Sequence, residues 1–184
     1  MTIQTFEMGS IGTNCYVVYN EKGNCAIVDC DGNTTALFHY ISQNNLKPSH
    51  ILLTHGHFDH IGAVEEVKEK YGCTIYACQK ESALLSDPVL NASNMSYRPI
   101  SLTADVWVKE GDVITVGDLE FKVIETPGHT EGSICFIIEN VILSGDTLFL
   151  GSCGRVDFPT GDPTAMMASL KRLKNLEGDY TVYP

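Results

Sequence analysis

At 184 residues the chain is long enough to bury a core of its own and reads as one domain, 1–184. Its 43% hydrophobic content and mean hydropathy of −0.01 are ordinary for a globular protein, and no apolar run approaches the ~18–20 residues of a membrane span, so no membrane partner is expected. A net charge of −11 and a pI near 4.8, without any Lys/Arg cluster, exclude nucleic acid as the main substrate, because phosphate binding calls for a basic surface.

The first residues, Met1-Thr2-Ile3-Gln4-Thr5-Phe6-Glu7, lack the basic and apolar regions of a signal peptide, which points to the cytoplasm. β-like runs rich in Ile, Val, Tyr and Phe follow at 3–8, 13–19 and 25–29. Residues 33–45 read as a helix with Leu37, Tyr40 and Ile41 on one face. A strand at 50–53 leads into a His-rich loop. A second helix is predicted over 61–71, with Ile61, Val64, Val67 and Tyr71 as its apolar stripe. A short run at 74–77 and a weak helix at 79–85 precede a polar stretch, 86–104, that reads equally as a wall of a site or a plain surface connection. Strands are expected at 105–108, 113–116, 119–125, 133–139 and 141–144. A helix at 163–175 uses Met166, Leu170 and Leu173, with Asp162 as cap and Pro163 at its first position. The chain ends in a β-like run, 180–184. The order suggests two ββα-type halves packed as an α+β, four-layer αββα sandwich. The seven cysteines show no C-x-x-C spacing and read as buried thiols.

The chemistry is concentrated in Thr54-His55-Gly56-His57-Phe58-Asp59-His60. Three imidazoles and a carboxylate within six positions supply several metal-ligand groups to one tight loop, which no hydrophobic core requires. Two further candidates stand at the ends of later β-like runs, His129 in Pro127-Gly128-His129-Thr130 and Asp146 in Ser144-Gly145-Asp146-Thr147. Imidazole with carboxylate suits Zn²⁺ first, with Fe or Mn also accepted.

Together these residues resemble the metallo-β-lactamase fold superfamily of metal-dependent hydrolases, and within it the glyoxalase II (hydroxyacylglutathione hydrolase) branch. The resemblance runs from Asn14-Cys15-Tyr16 through Ile27-Val28-Asp29, the His loop, 127–133 and 145–149 to Cys153-Gly154-Arg155-Val156-Asp157-Phe158. It implies that His55, His57 and His129 form one metal site, that Asp59 and His60 contribute to a second, and that Asp146 bridges them, with one or two Zn²⁺ as cofactor. The implied reaction is attack of a metal-bridging hydroxide on a small acyl thioester, with Asp59 and Asp146 as catalytic residues. Asp29, Thr54, Ser133 and Thr147 are candidates for bracing the ligands. Arg155 stands where the family binds a substrate carboxylate, but Asp157 offers it an internal salt bridge instead, where the family has a tyrosine. By the same resemblance, no counterpart is expected within residues 1–184 of the helical domain that helps the family hold glutathione. Family members also continue after a strand like Tyr183-Pro184 with Gly-His-Gly, whose His completes the second site; the expectation is a chain that stops short of it. Two other readings follow: a mononuclear iron persulfide dioxygenase, whose relatives share a segment like 154–158, and a non-catalytic remnant that binds metal or a partner.

Overall fold

The structure is a computed structural model that describes residues 1–96 and 98–184. Strands β1 (Thr2–Met8), β2 (Thr13–Tyr19) and β3 (Asn24–Val28) form an antiparallel meander. Strands β4 (Lys47–Leu52), β5 (Thr74–Cys78) and β6 (Val106–Val108) extend it in parallel. Parallel pairing needs long crossovers. Helix α1 (Thr35–Gln43) supplies one before β4, and α2 (Phe58–Ile61) with α3 (Val64–Tyr71) supplies the next. Helix α4 (Ser82–Ser86) follows β5. The second sheet comprises β7 (Val113–Val116), β8 (Leu119–Glu125), β9 (Ile134–Ile138) and β10 (Val141–Leu143), all antiparallel. Helix α5 (Pro163–Lys174) then crosses back so that β11 (Thr181–Tyr183) pairs in parallel with β10.

The layering follows from the two-residue period of a strand. In β2, Cys15 and Val17 join one apolar cluster while Tyr16 and Val18 join another; β3 repeats this with Cys25 and Ile27 against Ala26 and Val28. The first cluster also holds Leu37 and Ile41 of α1 and Val64 and Val67 of α3, so it lies between sheet and helices. The second includes Phe121 and Val123 of β8 and Phe136 and Ile138 of β9, so it lies between the two sheets. Beyond the second sheet, Cys135 and Ile142 meet Leu173 of α5. Fully burying one such side chain is worth about 1.5–3 kcal/mol. The result is the α+β, four-layer αββα sandwich expected from the sequence.

Three local expectations are sharpened by the structure. The helix expected over 61–71 is two pieces, α2 and α3. The amide of Cys30 donates to the His60 carbonyl and that of Ala63 to the Cys30 carbonyl, so the loop after β3 diverts backbone groups that a continuous helix would need. The weak helix at 79–85 is a 3₁₀ turn, Gln79–Glu81, running into α4. The polar stretch 86–104 buries Asn91 and Ser93, and the Asn91 carbonyl accepts from the amide of Phe58 at 2.9 Å, so it braces the His loop.

Cysteines 15, 25, 30, 73, 78 and 135 are buried. Burial pushes the Cys73, Cys78 and Cys135 thiols up to about 11, which keeps them protonated and inert. No helix among the described residues is long and apolar enough to cross a membrane.

Candidate metal centre

The candidate ligands lie at strand ends on one edge of the sandwich. Strand β4 delivers Thr54 and then His55 and His57; the single turn of α2 carries Asp59 and His60. His129 sits in the connection from β8 to β9, and Asp146 in a 3₁₀ turn after β10. The amide of Ile134 donates to the Thr54 carbonyl at 2.9 Å and thereby ties the His loop of the first sheet to the second.

His55, His57 and His129 converge within 4.8 Å. His129 Nε2 lies 2.8 Å from His57 Nδ1 and 3.2 Å from His55 Nε2. Ligand nitrogens around a tetrahedral zinc, each bound at 2.0–2.1 Å, stand ~3.3 Å apart. The 3.2 Å spacing fits one ion, whereas the 2.8 Å spacing is a hydrogen-bond distance that would have to open for His57 and His129 to share it. His129 Nδ1 donates to the Arg155 carbonyl at 2.7 Å, which leaves Nε2 as the free electron pair facing the cluster. With Nδ1 of His57 aimed at His129, its Nε2 is buried without a partner among the described residues.

A second group adjoins the first. His60 Nε2 lies 3.3 Å from Asp59 Oδ2 and 3.3 Å from Asp146 Oδ1, while Asp146 Oδ2 lies 3.5 Å from His129 Nε2. Asp146 thus faces His60 on one side and His129 on the other; the second set converging within 4.8 Å is His55, His60 and Asp146, with Asp59 adjoining it at His60. Asp59 Oδ2 accepts from Thr13 Oγ1 at 2.7 Å. Next to this second group a pocket of about 310 Å³ is bordered by residues 11–14, Phe149 and Pro184 as well as Asp59, His60 and Asp146. The stretch 86–104 contributes none of its lining among the described residues.

Burial, reinforced by neighbouring imidazoles, pushes His57 down to about 4 and His55 well below its ordinary value. Both are therefore neutral near pH 7, the form that coordinates metal. Burial pushes His60 down too, but the carboxylates of Asp29, Asp146 and Asp59 outweigh it and hold the ring well above its usual value. Burial would raise Asp59 and Asp146, yet His60 holds both below the ordinary carboxylate range. The His60 ring and the carboxylates around it thus stabilise one another's charged forms.

Of the bracing candidates, Asp29 and Thr54 meet the ligands. Asp29, at φ 49°, accepts from Thr54 N at 2.9 Å, Thr54 Oγ1 at 2.7 Å and His60 Nδ1 at 2.8 Å. Thr54 Oγ1 also lies 3.2 Å from His55 Nδ1. Ser133 instead closes a turn with Thr130, and Thr147 Oγ1 lies 2.8 Å from Thr126 Oγ1, joining the 3₁₀ turn after β10 to the end of β8; neither touches a ligand ring. The Arg155 guanidinium is bidentate to Asp157 at 2.7 and 2.8 Å and stacks 3.8 Å over Phe158. Phe158 in turn lies edge-on to His57 at 5.6 Å. Sequence reading missed Thr13, which bonds Asp59, and Glu81, whose Oε2 accepts from the amide of Gly56 between His55 and His57 at 2.8 Å. Neither carries a local signature: Thr13 is one β-strand Thr among many, and Glu81 falls in a weakly helical stretch.

Residues 8–184 match the family model described as the metallo-beta-lactamase superfamily. The chain is 31% identical over 176 residues, 93% of its length and 83% of the relative's, to hydroxyacylglutathione hydrolase GloC of Haemophilus influenzae. Among solved structures it is similar to BLEG-1 B3 metallo-beta-lactamase (39% identity, TM-score 0.87, covering 92% of this chain and 84% of the other). It is also similar to TTHA1623 in a di-iron-bound form (32% identity, TM-score 0.86, covering 98% and 90%). A family match over nearly the whole length, the αββα layers and the His-rich edge agree: the chain belongs to the metallo-beta-lactamase superfamily.

Proposed function

We propose that this metallo-hydrolase cleaves activated acyl compounds, thioesters first, with one or two divalent ions, zinc before iron or manganese, held at the His-rich edge. The observation that carries the reading is Asp146, whose two oxygens reach toward His60 and His129 at 3.3 and 3.5 Å. In this reading His55, His57 and His129 hold the first ion, Asp59 and His60 serve the second, and Asp146 serves both. Bound ions supply Lewis acidity and lower the pKa of coordinated water toward neutrality. Asp29 orients His60 through Nδ1 so that Nε2 faces the pocket. Thr13 orients Asp59, whose carboxylate is the acceptor for a proton released during attack on the acyl carbonyl.

The thioester class is supported by the likeness to GloC. Glutathione as the required carrier is not part of the proposal, because a substrate carboxylate would have to displace Asp157 from Arg155. The persulfide dioxygenase reading keeps one favourable observation, the segment Gly154-Arg155-Val156-Asp157-Phe158 beside His57. The likeness to BLEG-1 adds a β-lactam to the substrates worth assaying. The test is metal analysis of the purified protein, with a screen of acyl thioesters followed by thiol release, a β-lactam, and a persulfide followed by oxygen uptake. Thiol release that stops on chelation is the expected result. Iron content with oxygen uptake and no thiol release would transfer the protein to the dioxygenase reading. Full metal loading without turnover of any substrate would leave a binding protein.

A further inference from the structure

Glu81, at the end of the 3₁₀ turn after β5, is 1% exposed and accepts three hydrogen bonds. Its Oε2 accepts from the amide of Gly56 at 2.8 Å; its Oε1 accepts from the amide of Gly132 at 2.9 Å and from Thr130 Oγ1 at 2.8 Å. Gly56 stands between His55 and His57, and Thr130 and Gly132 follow His129. One carboxylate therefore joins the two loops that carry the three imidazoles. All three donors are neutral, so the carboxylate is held by hydrogen bonds and not by an ion pair. An apolar residue at this position would leave two buried amides without an acceptor. An amide side chain would turn an N–H toward a backbone N–H. Both glycines are shaped by the same contact region. A Cβ at Gly132 would stand 2.6 Å from Glu81 Oε1, and one at Gly56 would stand 2.8 Å from Leu84 and Leu85 of α4.

We propose that Glu81 is a positioning residue that sets the separation of the His55–His57 loop from the His129 loop and so pre-forms the three-nitrogen site for a divalent ion. The inference rests on the ligand assignment proposed above. Glu81 touches no ligand side chain in the contacts described; it acts through the backbone on either side of them.

The test uses Zn²⁺ alone, titrated into metal-stripped protein in competition with a chromophoric chelator, at a temperature where every variant is folded. Glu81→Gln should weaken Zn²⁺ binding roughly 10–100-fold, the range for outer partners of metal ligands. Thr130→Val, which removes one donor and keeps the shape, should weaken it less but measurably. Should Glu81→Gln fail to fold, Thr130→Val decides by itself. A merely structural role would lower the melting temperature of the metal-free protein and leave Zn²⁺ affinity at the wild-type value; that outcome overturns the proposal. His57→Ala, run alongside, separates the two layers of argument. If it loses Zn²⁺ while the other variants do not, the ligand assignment stands and the role of Glu81 falls. If it too binds normally, both fall.

Discussion

At the scale of single residues, the six histidines divide by partner. His55, His57, His60 and His129 face one another or a carboxylate at the sandwich edge, whereas His39 is exposed on α1 and His50 stacks on Tyr76. His57→Ala and His129→Ala are each expected to reduce hydrolysis by more than the roughly 10–100-fold typical of outer partners, since each removes a ring nitrogen from the cluster itself. His39→Ala and His50→Ala should leave the rate nearly intact; similar losses in all four variants would refute the assignment. Asp29 offers a finer test. It accepts three hydrogen bonds, one from His60, and its positive φ is one that Asn also tolerates. Asp29→Asn should therefore keep the fold while lowering metal affinity or turnover about 10–100-fold. Metal stoichiometry by elemental analysis and a circular dichroism spectrum check the two halves of that statement.

At the scale of elements, α5 is held on the second sheet by apolar contact at Leu173 and by Arg172, which is bidentate to Glu110 at 2.6 and 2.9 Å and reaches the Glu125 carbonyl at 3.0 Å. Arg172 holds the Glu110 carboxyl below its ordinary value of 4.5. The unfolded chain thus binds this proton more readily than the folded one. The stabilisation is present above about pH 4.5 and is lost as pH falls through the lowered folded value. Because both side chains are 43–44% exposed, screening limits the effect. Arg172→Ala should destabilise the protein by about 0.5–1 kcal/mol near neutral pH. Urea unfolding at about pH 7 and about pH 3.5 should show the gap between variant and wild type shrinking in acid. A gap independent of pH would assign the whole effect to packing.

The same scale shows which elements were legible in sequence. The strands alternate or run fully apolar, and α5 announces itself through Asp162, whose Oδ1 accepts from Thr164 N and Ala165 N, and through Pro163. The break between α2 and α3 was not legible. It is made by two hydrogen bonds to Cys30, a residue on a different element, and no periodicity within 61–71 encodes that.

At the scale of the whole molecule, the candidate ligands come from both sheets, so an ion bound there ties the two halves together. A ligand at a thousand times its Kd stabilises the native state by about 4 kcal/mol. For a chain of this size that corresponds to a melting temperature higher by roughly 8–16 °C. Chelation of the loaded protein should lower it by that amount, and Zn²⁺ should restore it, as followed by scanning fluorimetry. An unchanged melting temperature on stripping would show that the metal does not bridge the halves. What the sequence determined by itself was whatever depends on neighbours along the chain: the continuous apolar runs that bury β2 and β3 on both faces, and the His55–His60 spacing that crowds ligand groups onto one loop. The place of His129 and Asp146 beside that loop was inferred through resemblance and not from local chemistry. Only the tertiary structure decided that Glu81 reaches Gly132, 51 positions away, that Thr13 reaches Asp59, 46 away, and that Arg155 turns to Asp157. Contacts between distant segments depend on which strand ends the sheet order places side by side, and for Glu81 and Thr13 no local pattern of residue types records that order.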